Sequence, residues 1–230
     1  MDFKLQEFQD LAKVFNSQGY RLYLVGGTVR DYLLKLPLDD MDAVTDATPE
    51  EVLSFLPNAD KTFARLGSLK YKNANSTKFD ITTLRKESDY QDSRHPNNII
   101  FVKDLKIDYL RRDFTINAMY LDEKLNVIDY CEGQKDLENK VLKMVGDPFL
   151  RLKEDPLRIL RAIRFCLMFN LKIDSELYQA MQENVGLLKN ITDAKIRNEL
   201  NKIDYQIIDK DYKEQLFKQF DIANLRGVIK

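Results

Sequence analysis

A double glycine between two apolar runs leaves the backbone few options, and this chain has one inside the stretch Tyr23–Thr45, YLVGGTVRDYLLKLPLDDMDAVT. The run Leu22–Val25 suits a buried strand, and Gly26 and Gly27 let it turn tightly into a helix. A helix start without a side-chain cap exposes amide groups backed by the positive end of the helix dipole, which is a site for phosphate, and Arg30 lies about one turn further on. Asp40, Met41 and Asp42 follow, ahead of the apolar Ala43 and Val44. Residues two apart on a strand share a face, so both carboxylates would project into one small volume. Like charges held that close are costly unless a cation lies between them. Magnesium is the expected ion, because it prefers oxygen ligands and joins one or two carboxylates to substrate phosphates.

Each half has a plainer reading. A glycine pair is often only a tight turn, and Asp-x-Asp suits a turn or a solvated loop. Together they supply a phosphate cradle and a metal-ligand pair within one strand-helix-strand unit, the parts that nucleotidyl transfer requires. Two later segments complete a pattern: RRDFTINAM at Arg111–Met119 and EDPLRILRAIRF at Glu154–Phe165. In this order and spacing, with GGTVRDYLLKLPLDDMD, they resemble the motifs of class II nucleotidyltransferases of the polymerase-beta superfamily, the family of CCA-adding tRNA nucleotidyltransferases and bacterial poly(A) polymerases. The resemblance covers about Tyr20 to Phe169 and weakens beyond.

Composition limits the alternatives. The chain has 230 residues, 44% of them hydrophobic, enough for a good core in one or two domains. Its formal net charge of -1 excludes a global basic field, so any RNA site must be a local patch. No apolar run approaches a membrane span, and MDFKLQEFQDLAKVF lacks a signal-peptide core. Cys131 and Cys166, far apart, read as reduced thiols in a cytoplasmic protein; His95, the single histidine, reads as a solvated loop residue and leaves no usual zinc set. Nothing sets an oligomeric state.

Phe8, Leu11, Ala12 and Phe15 recur at the helical period with Gly19 at the C-cap position, predicting an amphipathic helix over about Phe3–Ser17. Thr48, Pro49, Glu50 and Glu51 form a capping-box start for a short helix through Phe55. Strands follow, the clearest at Phe79–Leu84. Asp80 within it reads either as an exposed alternate position or as a third acid beside Asp40 and Asp42, and the family has an acid at this place. Lys86–Asn98, KESDYQDSRHPNN, reads as a mobile polar surface loop; in the family this region is associated with the switch from C to A addition. Arg112 and Asp113 read either as a solvated charge and a helix cap, or, by the resemblance, as partners of the nucleotide ribose. A last strand at Val127–Tyr130 and a short helix in CEGQKDLENK lead out of the first domain.

From Pro148 to Lys172 the charge balance turns basic, with Arg158, Arg161 and Arg164 sharing a drifting helix face with Asp155. Asp155-Pro156 suits a helix start; Asp147-Pro148 suits one equally and would put Asp155 within a kinked helix. The resemblance gives Asp155 and Arg158 another role, a protein template for the base edge, with Arg161 and Arg164 on triphosphate or the tRNA end. Beyond Asn170, helices are expected at Ser175–Val185, Asp193–Ile203 and Lys213–Phe220. Thr192–Arg197 departs from the family's Glu-Arg-Ile-type segment, and most family members continue with further body and tail regions that grip the tRNA elbow.

The expected fold is α+β: a nucleotidyltransferase head with a mixed β-sheet and flanking helices over residues 1–146, then an all-helical neck and partial body over residues 147–230. The resemblance implies stepwise CCA addition to tRNA 3' ends from CTP and ATP with magnesium, through Asp40 and Asp42 as metal ligands and Asp80 as a third catalytic acid. Gly27, Arg30, Arg112, Asp113, Asp155, Arg158, Arg161 and Arg164 would hold the nucleotide. Poly(A) addition, or addition of CC or A alone, remains an alternative within the family; an inactive RNA-binding protein is the alternative from another class.

Overall fold

The computed structural model describes residues 3–90, 96–220 and 222. The chain divides into two compact units, Met1–Ser88 with Asn98–Gln134 and Asp89–Asn97 with Lys135–Lys230.

In the first unit α1 (Phe3–Ser17) buries the stripe Leu5, Phe8, Leu11, Ala12 and Phe15, as its period requires. The helix gives way to Gly19, whose φ of 84° suits a residue without a side chain. Every position of β1 (Leu22–Val25) is buried. Gly26 then takes φ 67° and ψ −129°, a conformation that glycine alone adopts without strain, and α2 (Gly27–Leu33) begins at once. β2 (Met41–Thr45) returns antiparallel to β1. The helix α3 (Pro49–Phe55) opens on the expected capping box, with the Thr48 hydroxyl accepting the Glu51 N–H at 3.3 Å and the Glu51 carboxylate accepting the Thr48 N–H at 2.7 Å. Then come β3 (Ser68–Lys72), β4 (Lys78–Thr83), β5 (Arg85–Tyr90), β6 (Pro96–Phe101), α4 (Leu105–Asp108), β7 (Tyr120–Leu121) and β8 (Val127–Ile128).

Six strands form one mixed sheet in the order β3-β4-β2-β1-β7-β8, in which β2 and β4 run parallel and the other pairs antiparallel. Alternation separates its faces. Leu22, Leu24, Met41, Ala43, Phe79 and Ile81 are buried on one. The other carries Asp42, Asp80 and Lys70 beside an apolar cluster of Tyr23, Val25, Val44 and Tyr120 with Leu84 and Leu105.

The segment expected to be a mobile loop differs from that reading: β5 and β6 pair as a two-stranded sheet. Lys86–Asn98 is polar and carries no apolar alternation, so no strand signal marks it in the sequence. Residues 91–95, His95 among them, lie outside the described residues.

The helix α5 (Gly133–Glu138) begins in the first unit and continues into the second, where β9 (Val141–Leu142) pairs in parallel with β10 (Lys172–Ile173). Between them lie α6 (Pro148–Glu154) and α7 (Leu157–Phe169); α8 (Ser175–Asn184), α9 (Asp193–Leu200) and α10 (Lys210–Gln219) follow. α6 packs on α8, and α7 on α9 and α10. Both Asp-Pro pairs stand at the start of a helix. Asp147 caps α6 through the Phe149 N–H at 2.8 Å, and Asp155-Pro156 separates α6 from α7. No helix among the described residues is long and apolar enough to cross a membrane, and neither Cys131 nor Cys166 is in a disulfide.

A Cβ on Gly133 would run into the Thr115 carbonyl and come within 2.9 Å of the Met119 side chain. Gly133→Ala should therefore cost about 1–3 kcal/mol, as overpacking does, although Gly to Ala in a helix usually stabilises. Urea unfolding measures it, and a raised midpoint would refute the packing argument.

Candidate active site

The parallel register sets Asp42 directly beside Asp80 on neighbouring strands. Their flanking residues Met41, Ala43, Phe79 and Ile81 are buried on the opposite face, so both acids stand on the open face. Thr28, in the first turn of α2, fixes the entry to β2. Its hydroxyl accepts the Asp42 N–H at 2.9 Å and reaches the Asp40 carbonyl at 3.4 Å. The glycine turn and the acids are thus joined through one buried threonine.

Asp42, Asp80 and Gly26 line a cleft of about 250 Å³ whose remaining wall includes Arg85, Arg111 and Arg112. Asp40 lines a neighbouring hollow with Asp80, Lys70, Lys72 and Lys78, so Asp80 belongs to both. Asp80 also meets the Lys70 ammonium at 3.7 Å. The Asp42 carboxyl is pushed up to about 6, first because surrounding protein withdraws water from it and then because Asp80 repels its charge; Arg112 opposes this, Asp40 adds to it and Arg30 opposes it. By accessible area residue 42 is still exposed, so a ligand can reach the carboxylate. Among the described residues no three Asp, Glu, His or Cys side chains form a ready metal cage. A pair of crowded, accessible carboxylates does fit a hard divalent cation that keeps several waters and completes its shell with phosphate oxygens.

The arginines of the cleft depend on a residue that the sequence did not single out. Asp108, the last residue of α4, is fully buried. Its Oδ2 accepts from Arg112 Nη2 at 2.8 Å, Arg112 Nε at 3.2 Å and the Tyr120 hydroxyl at 2.9 Å. Its Oδ1 accepts from Arg111 Nε at 2.8 Å and the Arg85 N–H at 3.1 Å. Burial alone would raise this carboxyl, but the Arg112 and Arg111 guanidiniums and the Arg85 N–H hold it well below the usual carboxylate range. Glu87 continues the network, meeting Arg85 at 2.7 Å and Arg111 at 3.4 Å. An Asp followed by an Arg pair gives only a weak signal in sequence, because a helix-end acid is usually solvated.

The other expected site residues are placed as follows. Gly27 is the first residue of α2. Arg30 is buried and donates to Asn117 Oδ1 at 2.7 Å and Asp31 Oδ1 at 2.7 Å. Asp113 accepts the Phe114 N–H at 2.8 Å and the Asn117 side-chain amide at 3.5 Å. In the second unit, Asp155 Oδ1 accepts the Leu157 N–H at 3.1 Å. The buried Arg158 donates to the Arg151 carbonyl at 2.7 Å and Glu154 at 3.2 Å. Arg161 lies over the Phe165 ring at 5.5 Å. Arg164 bonds to the buried Glu199 at 2.6 Å.

Residues 22–143 match the family model of the poly A polymerase head domain. The chain is 36% identical over 198 residues to a CCA-adding enzyme of Staphylococcus epidermidis, covering 86% of this chain and 49% of that protein. Among solved structures it resembles the Bacillus stearothermophilus CCA-adding enzyme in complex with CTP, with TM-score 0.80, 30% identity, and coverage of 88% of this chain and 49% of that one. It also resembles the Thermotoga maritima CCA-adding enzyme complexed with tRNA-CCA, with TM-score 0.73, 30% identity, and coverage of 97% and 52%. The chain spans about half the length of the curated relatives it matches.

The folded protein holds the Asp42 proton more tightly than the unfolded chain does. The stability this adds is full below pH 3.8 and is lost as pH rises through about 6. Carboxyl-carbon NMR should give a midpoint near 6 without metal, and magnesium should move it down. An ordinary midpoint that ignores magnesium would contradict the crowding described above.

Proposed function

This chain belongs to the poly A polymerase head domain family, and from that premise we propose that it is a template-independent RNA nucleotidyltransferase adding CCA to tRNA 3' ends from CTP and ATP. The observation that carries the reading is the placement of Asp42 beside Asp80 in a cleft that also holds the glycine turn and three arginines. Relatives named CCA-adding enzymes, and neighbouring structures holding CTP and tRNA-CCA, support the choice of substrates.

Asp40 and Asp42 would hold magnesium, which when bound favours loss of the RNA 3' hydroxyl proton and offsets charge on the departing pyrophosphate. Asp80 assists by accepting that proton. The hydroxyl oxygen bonds to the α-phosphorus while the bond from that phosphorus to the β-phosphate bridging oxygen breaks. Gly27 and Arg30 are assigned to the triphosphate, with Arg30 acting from its anchorage on Asn117. Arg112 and Asp113 are assigned to the ribose.

We divide the chain by role into a catalytic head over residues 1–146 and a base-selecting, RNA-binding neck and partial body over residues 147–230. In the latter Asp155 and Arg158 read the base. A carboxylate only accepts hydrogen bonds and a guanidinium only donates them, which matches the amino group and adjacent ring nitrogen of cytosine and adenine. Guanine and uracil present a carbonyl to the carboxylate, at a cost of about 1–3 kcal/mol per wrong contact. Arg161 and Arg164 are assigned to triphosphate or the RNA end.

The test is extension of tRNA lacking its CCA end, with magnesium and CTP, ATP or both, and products sized on a gel. The expected product with both nucleotides is a CCA end; a ladder of A residues would indicate poly(A) synthesis, and no extension would favour an RNA-binding protein. Asp42→Asn should lower incorporation by about a thousandfold, the scale of several kcal/mol of transition-state stabilisation. Asp155→Ala should relax base choice; equal loss for all four nucleotides would leave Asp155 as a helix cap only.

A further inference from the structure

We infer that Asp108 is a positioning residue for nucleotide recognition: it holds the Arg112 guanidinium against the glycine turn in the orientation that selects ribose. This rests on the assignment of Arg112 to the ribose. The geometry goes further than a generic buried ion pair. Arg112 gives Nε and Nη2 to the same oxygen of Asp108, at 3.2 and 2.8 Å, which fixes the plane of the guanidinium. The remaining nitrogen, Nη1, lies 3.8 Å from the place a Cβ would take on Gly26. The guanidinium therefore reaches the strand-helix turn on its far side, beside Asp42 in the same cleft.

Tyr120 braces this arrangement twice. Its hydroxyl donates to Asp108 Oδ2 at 2.9 Å and accepts from Arg112 Nε at 3.3 Å, and its ring lies 5.2 Å from the Arg112 Cζ. The phenol is fully buried. The other oxygen of Asp108 is committed to Arg111 and to the Arg85 N–H, at 2.8 and 3.1 Å. Both oxygens of one carboxylate are thus used to set cleft arginines. An amide at this position has one acceptor oxygen and one donor nitrogen. It can satisfy one of the two sides and must turn a donor toward the other, so Asp108→Asn releases or misorients an arginine while nearly keeping side-chain volume.

A stability role alone would weaken every ligand in proportion to the fraction unfolded. A positioning role acts on the contact that Arg112 makes. The full chain is therefore titrated with CTP and with dCTP by calorimetry in the presence of magnesium, as wild type, Asp108→Asn and Tyr120→Phe, with thermal unfolding run alongside. Tyr120→Phe keeps every charge and guards against a failure of Asp108→Asn to fold. The wild type should prefer CTP. In Asp108→Asn the dissociation constant for CTP should rise at least about tenfold, the scale of one lost charged hydrogen bond, with dCTP changed by less than about twofold. Tyr120→Phe should shift the same ratio in the same direction by a smaller factor. Unchanged CTP over dCTP preference in a folded variant overturns the positioning role and leaves the proposed activity standing. Absence of CTP binding by the wild type overturns both. Proportional weakening of CTP and dCTP reduces Asp108 to a structural ion pair.

Discussion

The register of β2 on β4 is the constraint from which the rest of the site follows. With a period of two, a slip of β2 by one residue would exchange its faces, driving Asp42 into the layer now filled by Met41 and Ala43 beside Phe79 and Ile81. Burying an unpaired carboxylate there is costly, while exposing a large side chain such as Met41 would forfeit about 1.5–3 kcal/mol. The apolar layer under the sheet therefore selects the position of the acids on top of it. Thr28 adds a local check, since its hydroxyl meets the Asp42 amide only in this register.

The arginine wall obeys the opposite economy. On the open face Asp80 and Asp40 repel the charge of Asp42, whereas Asp108 is fully buried and surrounded by donors. A buried ion pair contributes little net stability when compared with well-packed apolar side chains, and losing one partner is far costlier than never having had the pair. Such a cluster is better explained by orientation than by stability. It sets guanidinium planes that would otherwise wander on long flexible stems. Glu87 carries the same network to the root of the β5–β6 ribbon through Arg85 and Arg111.

What was legible in the sequence was whatever is encoded by near neighbours. The amphipathic stripe of α1, the capping box of α3, the glycine turn into α2 and the acid-bearing strand were readable because each depends on residues within a turn or a strand. Asp155-Pro156 and Asp147-Pro148 each suited a helix start, and both pairs bound helices. The node at Asp108 was not legible, since its meaning arises from Arg85 and Tyr120, which reach it only once the sheet is folded. Likewise Thr28 looked like any residue in a first helical turn. The β5–β6 ribbon is not legible because Lys86–Asn98 carries no apolar alternation.

The same distinction bears on the basic helix of the second unit. Counted along the sequence, Arg158, Arg161 and Arg164 look like a single face offered to phosphate. Folding gives them different employments: Arg158 closes the break between α6 and α7 through the Arg151 carbonyl and Glu154, while Arg164 meets the buried Glu199. Glu199 in turn is shared with Lys202 at 3.0 Å. A guanidinium engaged through some of its five donors can still offer others, in a plane that its first partners have fixed. Base discrimination by hydrogen-bond pattern needs such a fixed plane, because a freely rotating cation rewards any nearby acceptor and distinguishes none. The internal partners of Arg158 are thus compatible with a template role and supply the rigidity that role demands.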